Sequence, residues 1–134
     1  MIEIPTWVHI LPYVVGGRSR DGVDCWGLVV ILYKEIYDQD VPEYPHVLMP
    51  NLDDSRRASR EMLLELNRQT LFHQVDKPQA GDVILLNVLG DPLHIGVILG
   101  DNTMIHTGRS HGVVIENYME TKWKSKIAGI YRIK

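Results

Sequence analysis

The sequence predicts an α+β domain, with helices first and an antiparallel sheet after them. Three observations carry that expectation. Residues Cys25 to Tyr37 form an apolar run too long for a buried strand, and Arg56 to Leu71 repeat apolar side chains at helical spacing. After Lys77-Pro78-Gln79-Ala80-Gly81-Asp82 the period changes, and short apolar runs follow one another across glycine-bearing turns. Helical signals come before strand signals, which is the order of an α+β chain and not of alternating βαβ units.

Taken in order, residues 1 to 13 mix apolar and aromatic side chains with Pro5 and Pro12, and read as an extended or irregular lead-in. Trp7 is expected to pack on the core. Gly16-Gly17-Arg18-Ser19-Arg20-Asp21 is a polar, glycine-rich loop leading to the first helix, predicted over Cys25–Tyr37 with Leu28, Val29, Leu32 and Ile36 inward and Lys34, Glu35 and Asp38 at its wet end. Pro42, Pro45 and Pro50 mark Asp38 to Asp54 as an irregular connection. A second, amphipathic helix follows over Arg56 to Leu71, with Asp53, Asp54 and Ser55 as candidate caps and Ala58, Met62, Leu63 and Leu66 on its apolar side.

Five strands are predicted: Val83 to Leu86, Leu93 to Leu99, Thr103 to Thr107, Gly112 to Glu116 and Ile127 to Arg132. Gly90-Asp91 and Gly100-Asp101-Asn102 supply hairpin turns, and Asn117 to Ser125 makes a short helical or irregular connection. Such strands make a curved antiparallel sheet or small barrel. No repeat or linker divides the chain, so residues 1–134 are expected to be one domain.

Composition narrows the function. The chain has 134 residues, 45% hydrophobic and 23% charged, the balance of a globular protein that buries its own core. A formal charge of -3 offers nucleic acid no electrostatic footprint. The single cysteine cannot form an internal disulfide. Met1 to Trp7 lack the charged and apolar regions of a secretory leader, and no apolar run reaches the roughly 18 residues of a membrane helix. The expectation is synthesis in the cytoplasm, no membrane insertion and no nucleic-acid partner.

Cys25 draws attention because it stands at a predicted helix start, where unpaired N–H groups and the helix dipole favour a thiolate. Its partners are expected on the sheet. If the strands on either side of Gly100-Asp101-Asn102 pair about that turn, His94 comes within one register step of His106. A cysteine nucleophile needs one imidazole to take its proton and another group to hold that imidazole's far nitrogen. His94 is read as the base and His106 as the orienter, with the backbone N–H of Cys25 and a neighbour as the oxyanion hole. Asp24 is read as a residue that hydrogen-bonds the loop or positions Tyr13 or Arg18, and not as the base. Arg109, in the turn after the orienting strand, is read as a receiver for a substrate carboxylate. Three other readings stay open, one of which keeps the thiol chemistry and changes the substrate, to an amidase or acyl transfer on another amide. Cys25, His94, His106 and His111 have atoms suited to zinc, and the Trp123 region with Lys122, Lys124 and Lys126 would suit an assembly contact.

The run Tyr13, Gly16-Gly17, Gly22-Val23-Asp24-Cys25-Trp26-Gly27-Leu28-Val29, then Gly81-Asp82-Val83-Ile84, His94-Ile95-Gly96-Val97-Ile98-Leu99-Gly100 and Met104-Ile105-His106 resembles the NlpC/P60 cysteine peptidases. The likeness covers about residues 11 to 108. It implies a papain-like core in which Cys25 attacks, His94 is the base, His106 orients it and Tyr13 shapes the substrate site. It also implies hydrolysis of peptidoglycan stem peptides, between D-γ-glutamyl and diaminopimelate or lysine, through an acyl-enzyme and without a cofactor. Trp26 stands where that family often has serine, and is expected to narrow the cleft or stack on substrate. Asp-Cys-Trp-Gly-Leu-Val in a short chain resembles members among phage and prophage tail assembly proteins. That likeness implies other phage tail proteins as partners, delivery by a tail, and an assembly role as the alternative to hydrolysis.

Overall fold

The structure, a computed structural model, describes residues 1–43, 64, 66, 71–88 and 90–134. Helix α1 spans Cys25–Tyr37, the bounds its apolar run predicts. Asp24 caps it, its side chain accepting from the N–H of Gly27, and Asp38 ends it in the left-handed conformation with its own N–H bonded to Lys34 O. A 3-10 turn at Thr6–Val8 and a small ribbon of β1 (Arg18–Ser19) and β2 (Gly22–Val23) precede it. The second predicted helix lies outside the described residues except for Leu64 and Leu66; both are helical, with Leu66 buried. Of the proline-bearing connection, the part beyond residue 43 lies outside them too.

The sheet has six strands: β3 (Phe72–Gln74), β4 (Val83–Val88), β5 (Asp91–Gly100), β6 (Thr103–Gly108), β7 (Gly112–Asn117) and β8 (Ile127–Ile133). Their order is β3-β8-β4-β5-β6-β7, with every neighbour antiparallel. Helix α2 (Thr121–Lys124) lies between β7 and β8. Five of the six strands are those the period predicts. The sixth, β3, is three residues long, too short to show alternation, and adds to the outer edge of β8. Between β5 and β6, Asp101 and Asn102 both have positive φ, at 51° and 60°, as a two-residue type I′ hairpin requires.

Alternation along the strands sorts two cores. Val83, Leu85, Ile95, Val97, Leu99, Ile105 and Tyr131 turn to the face where α1 lays Leu28, Val29 and Leu32. Ile84, Leu86, Ile98 and Met104 turn to the other, under Tyr118 and Trp123. Among the described residues no helix is long and apolar enough to cross a membrane.

Candidate active site

The loop ahead of α1 is fastened by one carboxylate. Asp24, 1% exposed, accepts from Gly27 N at 2.8 Å and from Arg18 Nη1 at 2.6 Å on one oxygen, and from Gly16 N at 2.9 Å on the other. This is the loop-fastening role its sequence position suggests. Gly27 is part of the same arrangement: a Cβ there would run into the carbonyl of Gly17, so only glycine lets the loop lie against the helix start.

Cys25 is thereby fixed at the first turn of α1, 6% exposed. Its sulfur receives hydrogen bonds from the amides of Trp26 and Ile95. Ile98 N–H bonds Asp82 O on the β4 side, so by alternation the Ile95 amide points to the β6 side. The registered β5–β6 pairing starts at Val97↔Ile105 and runs toward the turn, and the thiol meets the Ile95 amide beyond that end. The expected thiolate is not found. Burial pushes the thiol up to about 12 from its ordinary 9.0, with the Asp24 charge adding to it, and these outweigh Arg18 and the two amides. A helix start favours the anion, but burial away from water costs the anion more here.

The histidines meet as their spacing predicts. Continuing the register from Val97↔Ile105 sets Gly96 against His106 and puts His94 two residues along on the same face. The rings close that diagonal, His94 Nε2 lying 2.8 Å from His106 Nδ1 with centroids 4.9 Å apart. Gly96 keeps the space open, since a Cβ there would sit 3.3 Å from His106 Cβ and 3.0 Å from Ile105 O. Burial lowers His94 to about 3, helped by the charges His106 and His111 would carry, and burial lowers His106 as well. Both imidazoles are neutral at pH 7, beside a neutral thiol. Among the described residues no hydrogen bond joins Cys25 to His94; the sulfur rests against the peptide that follows the base, and the base is bonded to the orienter.

Two contacts beyond His106 were not foreseen. Its Nε2 lies 2.6 Å from Glu116 Oε2, which also accepts from Trp123 Nε1 at 3.1 Å, while Lys122 reaches Oε1 at 3.3 Å. Hydrogen bonds from these three groups hold the Glu116 carboxyl below its ordinary range, in the direction a charge on His106 would also act, although burial, the largest single influence, pushes it up. Trp123 stacks on His94 (6.0 Å, 18°) and stands edge-on to His106 (5.3 Å, 81°). It is a wall of the imidazole pair. The register that placed the histidines would have found Glu116, since Met104↔Glu116 puts it on their face.

Tyr13 is half-buried, near enough to feel the charge of both Cys25 and Arg109. The Arg109 side chain hydrogen-bonds it and lies 5.8 Å from its ring centroid. Burial first, and the nearby sulfur second, raise the Tyr13 phenol. Trp26 does not belong here, contrary to expectation. It is 0% exposed, edge-on to Phe72 at 6.1 Å, and donates from Nε1 to Pro42 O at 2.6 Å. One residue on from Cys25, it points into the core, where β3 supplies a surface for it. The facing nitrogens of His94 and His106 hydrogen-bond each other, and among the described residues no three His, Cys, Asp or Glu side chains converge on a metal position.

A cysteine at the N-terminus of a helix laid against a histidine-bearing antiparallel sheet defines a papain-like protein. The chain belongs to the NlpC/P60 family, whose model matches residues 11–132. It is similar to the murein DD-endopeptidase MepS/murein LD-carboxypeptidase of Escherichia coli K12, 26% identical over 114 residues covering 85% of this chain. It spans about half of that relative's length, 51%. The probable endopeptidase NlpC of the same organism is 26% identical over 98% of this chain and 74% of its own. In fold it resembles the NlpC/p60 domain of the peptidoglycan hydrolase SagA, with a TM-score of 0.59 at 19% identity over 94% of this chain and 89% of that domain.

Proposed function

We propose that the chain is a cysteine endopeptidase that hydrolyses an amide of the peptidoglycan stem peptide, of the D-γ-glutamyl–diaminopimelate or lysine type, through an acyl-enzyme. The observation that carries the reading is the Cys25 sulfur held against the peptide following His94, with His94 bonded to His106. Cys25 is the nucleophile, His94 takes its proton and passes it to the leaving amine, and His106 holds His94 in place. The N–H of Cys25, at the helix start, faces the developing oxyanion. Tyr13 and Arg109 bind the substrate beside the sulfur, Arg109 by a carboxylate. The murein activity in the name of the Escherichia coli relative supports the substrate class.

Association with a phage tail is the further part of the proposal, and it is supported by the Asp-Cys-Trp-Gly-Leu-Val motif. On this view the protein is made in the cytoplasm and reaches the wall with tail proteins. The test is release of stem-peptide fragments from purified peptidoglycan, read by mass spectrometry. Wild type should cleave and Cys25→Ala should not. A wild-type protein that cleaves nothing, paired with a Cys25→Ala defect in tail assembly, would instead establish the assembly role.

A further inference from the structure

We propose that Glu116 is a positioning residue that selects which nitrogen of His94 takes the thiol proton. The proposal rests on the assignment of Cys25 as nucleophile and His94 as base. An ionised carboxylate has only acceptors, so in the 2.6 Å contact the hydrogen belongs to Nε2 of His106. Trp123 makes the point twice over, because an indole N–H can only donate and it donates to the same Oε2. A neutral His106 then has its second nitrogen, Nδ1, as an acceptor. The 2.8 Å contact therefore carries its proton on Nε2 of His94. What remains on His94 is a lone pair at Nδ1, the ring nitrogen nearer its own backbone. The Cys25 sulfur lies against the very next amide, that of Ile95. Each assignment forces the one after it, from a carboxylate on β7 to the free Nδ1 of His94 on β5.

The steps balance without moving any proton at Glu116. The S–H proton goes to Nδ1 of His94 as sulfur bonds the carbonyl carbon. That proton leaves with the amine when the C–N bond breaks. Water then adds to the thioester, giving one proton to Nδ1, and the C–S bond breaks as the sulfur recovers it. The Nε2–H of His94 keeps donating to His106 Nδ1 throughout, and the imidazolium faces a fixed negative charge one ring away.

Two variants separate the acceptor from the charge. In Glu116→Gln, the Trp123 N–H holds the amide oxygen where Oε2 was, so the acceptor persists and the charge is lost. In Glu116→Ala both go, and His106 is free to invert. Long-range ¹⁵N–¹H spectra of the imidazoles read the tautomers directly. Wild type and Glu116→Gln should show His94 protonated at Nε2, and Glu116→Ala should show both forms. On stem peptide, kcat should fall about tenfold in Gln and about a hundredfold in Ala, the range a charge-assisted hydrogen bond spans, with KM unchanged. A wild-type His94 protonated at Nδ1, or equal losses in the two variants, overturns the proposal. The spectra need no turnover, so a protein that cleaves nothing would refute the hydrolase reading and still leave the tautomer measured. If Glu116→Ala does not fold, the wild-type and Gln spectra decide alone.

Discussion

The resting thiol should be inert, and the size of the effect follows from its surroundings. With the Cys25 thiol pushed to about 12, the thiolate fraction at pH 7 is on the order of one in 10⁵. At the ordinary value of 9.0 it would be about one in 10². Alkylation proceeds through the thiolate, so iodoacetamide should modify the folded protein roughly a thousandfold more slowly than it modifies a free peptide thiol. Intact-mass spectrometry over time at pH 7 measures both rates. The rate should climb about tenfold per pH unit without levelling off before the buried group titrates. Asp24→Asn keeps the helix-cap acceptor but removes the second cause of the shift, and should speed the reaction. A rate within tenfold of the free thiol, or a plateau below pH 9, would mean that a thiolate–imidazolium pair already exists and that burial does not set the thiol's state.

Acid should unfold the protein early. Below about pH 6.5 an unfolded His94 takes up a proton that the folded one refuses until about 3, so the unfolded state binds more protons and stability falls with pH. The slope from this group is about 1.4 kcal/mol per pH unit inside that window, and His106 acts in the same direction. Glu116, lowered in the fold, adds to the loss at more acid pH. Urea midpoints taken across pH 3 to 7 check this, and a flat profile would contradict it. Asp24→Ala should cost about 3–5 kcal/mol, because it strands the nearly buried Arg18 and leaves Gly16 and Gly27 without their acceptor. Urea unfolding at pH 7 reads it, and a loss below 1 kcal/mol would show that the loop is fastened by something else.

Local chemistry explains what the sequence made legible. Helix α1 is bracketed by an aspartate that can cap and another that tolerates the left-handed turn, and its apolar run has no rival interpretation. The histidine pair follows from turn geometry, because an Asp-Asn hairpin fixes register and register fixes which side chains share a face. What failed depended on distant parts of the chain. Its neighbour in sequence points Trp26 to the cleft, but its place is decided by Phe72 and Pro42, which no local rule connects to it. The thiol was expected to be acidic because the helix-start rule sees dipoles and not burial. Glu116 follows from the same register argument applied one strand further out.

Trp123 gives the molecule an optical witness at its centre. Its indole touches both imidazoles and Glu116, while Trp26 lies in the other core against Phe72 and Trp7 sits beneath the guanidinium of Arg20. A charged imidazole quenches an adjacent indole far more than a neutral one. Replacing Trp7 and Trp26 with phenylalanine would leave a chain whose emission dims as the proton arrives at His94. The proton state of the imidazole pair could then be followed as light.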